Sequence, residues 1–153
     1  MKASDELRYD HEVLRAKLLS LELSLPASQA RACTLSRLTD SLASCLRSHV
    51  EREEHLLAAR ALRYGEPPAE CLQHLHDEHE NQRTRLAILH DLLTHPEPAA
   101  EDQIVTQASY LVKDLREHMV VEERRVFPVI DGEVVSEATT AVDEETVEML
   151  GLA

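Results

Sequence analysis

The chain has 153 residues, a length that fits one domain, and 43% of them are hydrophobic, which is enough for a buried core. A formal net charge of −13 argues against nucleic-acid binding, and three cysteines without a CxxC pair argue against a disulfide framework or a cysteine-bound zinc ion. Because the N-terminus is polar and no stretch of about 18 apolar residues occurs, we predict a cytoplasmic protein that does not bind membranes.

Helix-forming residues dominate the sequence and aromatic residues make up only 3% of it, so we predict an all-α fold. The first predicted helix covers about residues 5–24, where apolar residues recur at intervals of three and four. The second carries a stripe from Leu38 to Leu56 and ends near Gly65, which suits a left-handed helix cap. For the polar positions of these two helices to lie at the same level along the bundle, about ten residues must connect the helices. Thr34 is therefore the predicted N-cap of the second helix.

The third predicted helix begins near Pro68 and ends before Pro96. The fourth runs from about residue 100 to residue 130, and its stripe ends at Val126 and Val129. Pro128 falls in its last turn and should end or kink the helix.

Four helices with short breaks predict an antiparallel up-down-up-down bundle over residues 1–131. Residues 132–153 form an acidic tail, for which the sequence leaves open a short helix or a mobile segment.

Polar residues interrupt the apolar stripe of every predicted helix. Each helix places a histidine on its core-facing stripe, and the second and fourth add a glutamate one turn later. These residues are His11, His49, Glu53, His79, His118 and Glu122. A single histidine at such a position is more often a hydrogen-bonded core residue than a ligand. The signal therefore lies in the conjunction, since the helix lengths bring these residues to about the same level.

Two buried carboxylates among four imidazoles would be costly without a compensating positive charge, which a pair of metal ions would supply. Glu53 and Glu122 would bridge the two ions, and each ion would take two of the histidines. Histidine and carboxylate ligands without cysteine suit iron or manganese better than a structural zinc ion. The six residues therefore predict a di-metal site.

The same motifs resemble the hemerythrin and HHE cation-binding family. The matching segments are Asp10-His11-Glu12-Val13-Leu14, Ser48-His49-Val50-Glu51-Arg52-Glu53-Glu54, Asp77-Glu78-His79, and Glu117-His118-Met119-Val120-Val121-Glu122-Glu123 with Val126-Phe127-Pro128 after it. The resemblance covers about residues 5–131. It implies two iron ions (Fe²⁺/Fe³⁺) with a bridging oxygen, manganese and zinc being less favoured, and a small diatomic or peroxide ligand.

One position departs from the pattern of the oxygen-carrying members, which have a second histidine one turn after the third-helix histidine. This chain has Arg83 there. The departure favours the bacterial subgroup with four histidines and two glutamates, which is linked to redox chemistry, stress protection or sensing. His76 could replace the missing ligand, and Arg83 could either steer an anionic oxidant or extend to solvent.

Three further residues lie close to the proposed ligands. Glu54 and Glu123 each follow a ligand by one residue, so they should point about 100° away and be solvated. Asp114, one turn before the fourth-helix histidine, is a candidate to orient it.

The sequence leaves three functions open. The first is a di-iron protein that binds or reduces dioxygen, nitric oxide or peroxide, with enzymatic turnover undecided. The second is a non-enzymatic iron or oxygen sensor, or an iron-handling module, that acts through a protein partner. The third is a metal-free helical interaction domain. A homodimer is compatible with each of them.

Overall fold

The computed structural model describes residues 1–26, 32–95, 97 and 100–133, and all regular secondary structure within them is helical. In chain order the elements are α1 (Asp5–Ser24), α2 (Ala32–Tyr64), α3 (Ala69–Thr94), α4 (Ala100–Val121), a π-helical turn (Glu122–Val126) and α5 (Phe127–Ile130). Residues 134–153 of the acidic tail, for which the sequence leaves open a short helix or a mobile segment, lie outside the described residues. Within the described ranges, no helix is long and apolar enough to cross a membrane.

Each long helix packs against the next one in the chain, and α1 also packs against α4, which closes a ring of four. Lys17 contacts Ser41, whereas Asp10, nearer the start of α1, contacts Arg52, farther along α2, so the two helices are antiparallel. The interface between α2 and α3 is also antiparallel, as the pairs His90–Asp40 and His76–Glu54 show. The same holds between α3 and α4, with the pairs Arg85–Tyr110 and His79–His118. It holds as well between α1 and the last helix with its π-helical end, with the pairs Glu22–Arg116 and Arg15–Glu123. The predicted antiparallel four-helix bundle is confirmed.

Glycine and proline set the turn between α2 and α3, as predicted. Gly65 has a left-handed φ of 70° and donates its N–H to the carbonyl of Ala61 at 2.9 Å, which caps α2. Pro68 directly precedes α3, where its missing N–H removes no helical hydrogen bond.

The prediction for Thr34 is wrong, because α2 begins at Ala32 and includes Thr34 in its first turn. The connection after α1 is therefore shorter than predicted. The two helices are still level at the polar layer because α2 extends about one turn past the end of α1.

A layer of polar residues divides the core into two apolar clusters. The larger cluster occupies the half of the bundle that holds the C-terminal end of α1 and the start of α2, and includes Leu18, Leu42, Leu89 and Leu111. The smaller cluster at the other end consists of Leu7, Leu57, Leu75, Phe127 and Ile130. The layer between the clusters contains all six predicted metal ligands. Apolar packing on both sides therefore holds the polar side chains at one level.

The end of α4 departs from regular α-helix as the chain approaches Pro128. Because Pro128 has no N–H to donate to the carbonyl four residues earlier, the α pattern cannot continue unchanged, and a π-helical turn forms over Glu122–Val126. This wider turn changes the helical phase. Phe127 and Ile130 are buried, whereas Val126 and Val129, which the α period placed in the core, are half-buried.

Asp131 joins the end of the described bundle to its beginning. Its carboxylate accepts hydrogen bonds from the backbone N–H of Ser4 at 2.9 Å and from the Ser4 hydroxyl at 2.7 Å. Ser4 is fully buried and stands immediately before α1. The π turn and α5 are therefore anchored to the N-terminal end of the first helix.

Candidate metal centre

All six predicted ligands point into the polar layer. His11, His49, Glu53, His79 and Glu122 are buried, at 0 to 2% exposure, and the side chain of His118 is 8% exposed. The heptad-like spacing of each helix explains this placement, since the residues one turn before and after them are mostly core leucines.

Two groups of donor atoms share Glu122. The Nε2 atoms of His11 and His49 are 3.2 Å apart and lie 2.8 and 3.3 Å from Oε2 of Glu122. The Nε2 atoms of His79 and His118 are also 3.2 Å apart, and both contact Oε1 of Glu122, His79 at 3.3 Å. Adjacent ligands at about 2.1 Å from one ion are about 3 Å apart, so each group has the spacing of a metal site. Glu122 presents one oxygen to each group.

Glu53 lies beside both groups and lacks hydrogen-bond partners. Its Oε2 atom is 3.4 Å from Nε2 of His79 and 3.9 Å from Nε2 of His49, yet both carboxyl oxygens are buried without a hydrogen bond. A buried carboxyl group without hydrogen bonds destabilises the fold by about 1–3 kcal/mol when it is neutral, and by more when it is ionised. Two metal ions between these imidazoles would satisfy both oxygens, so the residues present fit a bridged metal pair.

A carboxylate holds the outer nitrogen of every histidine in the layer. The Nδ1 atoms of His11 and His79 lie 2.9 Å from Glu123 and Glu54, respectively. The other two pairs are His49–Asp10 at 3.4 Å and His118–Glu78 at 3.1 Å. An Nδ1–H that donates to a carboxylate fixes the tautomer that leaves Nε2 free to bind a metal. Hydrogen bonds thus pre-orient His11, His49 and His79 with Nε2 toward the centre, whereas His118 is held by an ion-pair contact with Glu78.

These contacts overturn two expectations about neighbouring residues. Glu54 and Glu123 were expected to be solvated, but their side chains are only 32% and 25% exposed, and each orients a histidine of a different helix. The direction of the Cβ atom alone predicts solvation, whereas a glutamate side chain reaches sideways to an adjacent helix. Asp114 was the candidate partner of His118, a role that the structure gives to Glu78.

A family model described as the hemerythrin HHE cation-binding domain matches residues 71–152, which is more than half of the chain. The chain belongs to this family. The matched residues include His79, His118 and Glu122, whereas the predicted ligands on α1 and α2 precede them. No curated protein and no solved structure matches the chain.

Membership of the HHE family identifies the polar layer as part of a metal-binding domain, and iron is the typical metal of this family. The assignment of the six individual ligands stays a prediction. It is supported by their convergence on Glu122 and by the unsatisfied Glu53.

In the metal-free HHE domain the ionisable groups of the layer perturb one another strongly. Burial lowers the pKa of His79, but its hydrogen bond with Glu122 and the negative charges of Glu122 and Glu53 outweigh burial and raise this pKa to about 9. Burial and the neighbouring Glu122 raise the pKa of Glu53. Burial also acts to raise the pKa of Glu122, but the charge of His118 and hydrogen bonds from several histidines hold it well below the usual value. Metal binding must therefore displace protons from imidazoles such as that of His79.

His76 and Arg83, which the sequence suggested as possible site residues, both face solvent. His76 is about half exposed and contacts Glu54, and Arg83 pairs with Glu80 on the same helix. The inward positions of α3 belong instead to Leu75 and Gln82. Neither His76 nor Arg83 replaces the histidine that oxygen-carrying members have on the third helix.

The remaining histidines lie outside the layer. His55, His90 and His95 are exposed, and His74 is half-buried and contacts Glu78 on its own helix.

A small apolar void adjoins the layer. It has a volume of about 10 Å³ and is lined by Leu14, Leu18, Leu46, Leu115 and Met119 on one side and by His49, His118 and Glu122 on the other. This volume is about that of one water-sized sphere.

Proposed function

We propose that this chain is a di-iron protein that binds or reduces a small oxidant such as dioxygen, nitric oxide or peroxide. The observation that carries the proposal is the position of Glu122, whose two oxygens belong to two separate groups of histidine nitrogens. Each of these groups offers two imidazoles, and Glu53 offers a second carboxylate between them. Such a set matches two ions better than one.

In the proposed centre, His11 and His49 would hold one ion and His79 and His118 the other, and Glu53 and Glu122 would supply the carboxylates shared between them. The iron ions, when bound, supply the electrons for reduction of the oxidant. The chain's own residues hold the imidazoles in one tautomer through their Nδ1 partners and exclude bulk water by apolar packing above and below. No side chain is assigned a proton-transfer role.

The apolar void supports an uncharged diatomic molecule as the ligand. Its walls are leucine and methionine side chains, with polar atoms only on the side of the layer. An ion would lose its hydration there without compensation, whereas dioxygen or nitric oxide has little hydration to lose. We therefore favour dioxygen or nitric oxide over a charged oxidant.

Stopped-flow mixing of the reduced, iron-loaded protein with each oxidant tests this proposal. We expect a fast optical change with dioxygen or nitric oxide. Leu115→Phe, which fills the void, should slow this change without altering the iron content. Leu62→Phe is the matched control, because Leu62 is 91% exposed. Equal rates in both variants, or no reaction with any oxidant, would contradict the proposal.

The number of events separates reduction from sensing. With excess nitric oxide or peroxide and an electron donor, repeated turnover identifies an oxidoreductase. A single stoichiometric event identifies a binding or sensing protein, the alternative in which oxidation or metal occupancy is reported to a partner.

A further inference from the structure

A second, larger cavity opens between α3 and α4. Its volume is about 280 Å³, and the polar groups on its wall are three carboxylates, two amides, one guanidinium and one imidazole. The carboxylates belong to Glu78, Asp114 and Glu117, so the charges of the wall sum to a negative value even with Arg85 included. His118, the least buried of the proposed ligands, forms part of the same wall.

Gln82 provides an independent sign that this cavity receives a ligand. Its side chain is 2% exposed and lines the cavity, and its Oε1 atom is buried without a hydrogen-bond partner. A buried amide oxygen of this kind is destabilising unless something donates to it or coordinates it. The residue stands one turn after His79 on the inner face of α3.

We propose that this cavity is the loading vestibule through which a hydrated divalent cation, such as Fe²⁺, reaches the buried metal centre. The inference rests on the proposed function, because it concerns how that centre is filled. The vestibule offers the carboxylate oxygens of Asp114 and Glu117 and the carbonyl oxygen of Gln82, which are the donors that a hard divalent cation accepts during dehydration. From this space the cation passes directly to His118.

The cationic side chain in the wall does not reverse the preference for a cation. The guanidinium of Arg85 lies 4.1 Å from the centre of the Tyr110 ring, so it stacks on the rim of the bundle. An anion would meet three carboxylates in the same space. The apolar void on the other side of the centre has no oxygen donors apart from Glu122, so a hydrated cation cannot cross it.

The vestibule is a transit site and holds no ion tightly. Within the described residues, the sets of three or more donors close enough to enclose an ion are the two that share Glu122, and neither includes Asp114 or Glu117. Water molecules must therefore complete the shell of a cation in the vestibule. The cation is then held weakly enough to move on to the histidines.

The rate at which the metal-free full chain takes up Fe²⁺ under anaerobic conditions tests the vestibule. At about 10 Å in water, one unit charge changes the local concentration of a divalent cation roughly fourfold. The double variant Asp114→Asn/Glu117→Gln should therefore load roughly tenfold more slowly at low ionic strength, with an unchanged final iron content. The control Glu101→Gln/Asp102→Asn removes two exposed charges from the start of the same helix and should load at the wild-type rate.

Two further measurements keep the test decisive if the double variant folds poorly. Wild-type loading should slow as salt is added, and Gln82→Leu should load more slowly than wild type. Salt-independent wild-type loading, or equal rates in the vestibule and control variants, would overturn the vestibule. A wild-type end point well under one iron per chain would instead sink the proposed function, so the two failures are distinguishable.

Discussion

The Nδ1 atom of His11 on α1 lies 2.9 Å from Oε1 of Glu123, the residue that directly follows the shared carboxylate Glu122. Consecutive helical side chains point about 100° apart, but a glutamate is long enough to reach sideways to the next helix. Glu122 and Glu123, at the start of the π-helical turn, therefore contact the two nitrogens of His11. Glu53 and Glu54 of the regular helix α2 flank the two nitrogens of His79 in the same way, so both halves of the layer use a pair of adjacent glutamates.

We expect Glu123→Ala to weaken iron binding about 10- to 100-fold, because His11 loses the carboxylate that fixes its tautomer. Arg15, which pairs with both oxygens of Glu123, loses its partner at the same time. Competition with a chelator of known affinity measures the effect. Glu101→Ala, an exposed acid of α4, is the control, and an equal affinity in both variants would show that the contact is incidental.

Replacing Glu53 should separate stability from metal binding. In the metal-free protein, Glu53→Met removes a buried carboxyl group without hydrogen bonds, so the free energy of unfolding should rise by about 1–3 kcal/mol. The same variant should lose iron, because one bridging carboxylate is gone. Denaturant unfolding and metal analysis give the two readings. Glu51→Met, at an exposed position of α2, should change neither by much.

Stability and metal affinity should depend on pH in opposite directions. His79 has a pKa of about 9 in the folded metal-free protein, above its usual 6.5, so its contribution to stability is complete below pH 6.5 and disappears as the pH rises through 9. The shift corresponds to roughly 3 kcal/mol. The raised pKa values of His49, His118 and Glu53 act in the same direction.

Iron requires neutral imidazoles, so its affinity should increase over the same pH window. Unfolding of the metal-free and iron-loaded protein at pH 6.5, 7.5 and 9 tests both trends. A metal-free protein that becomes more stable from pH 6.5 to 9 would contradict the protonated state of the layer.

Helix positions could be predicted from the sequence because the chain marks them clearly. The apolar period fixes α1, and Gly65 and Pro68 separate α2 from α3. The face of α3 was harder to predict. The apolar period placed Arg83 on the inward stripe of this helix, but the structure places Gln82 inward and Arg83 in solvent.

The inward histidines and glutamates were predictable because each replaces an apolar residue in a core stripe. The carboxylates behind the histidines were not, since Glu54 and Glu123 act across helix interfaces that exist only once the bundle is assembled. The π turn was also missed. Pro128 signalled an interruption, but the sequence period contained nothing to show that it would take the form of one wider turn before the proline.

The contact between Asp131 and Ser4 should contribute to the stability of the bundle. Asp131→Ala removes the acceptor of two hydrogen bonds from a buried serine, so we expect a loss of about 1–2 kcal/mol in the free energy of unfolding. Asp131→Asn keeps one acceptor oxygen and should lose less. Chemical denaturation of the metal-free forms compares the two, and equal stability of wild type and Asp131→Ala would show that this end of the bundle is held by apolar packing alone.

The iron content of the wild-type protein tests the central claim most directly. The metal-free chain is loaded anaerobically with excess Fe²⁺, desalted and analysed by mass spectrometry for iron and protein. Because Glu122 presents one oxygen to each histidine pair, we expect two irons per chain, and fewer than one in Glu122→Ala. A wild-type value of one or less, with unfolding unaffected by iron, would contradict a paired centre in this bundle.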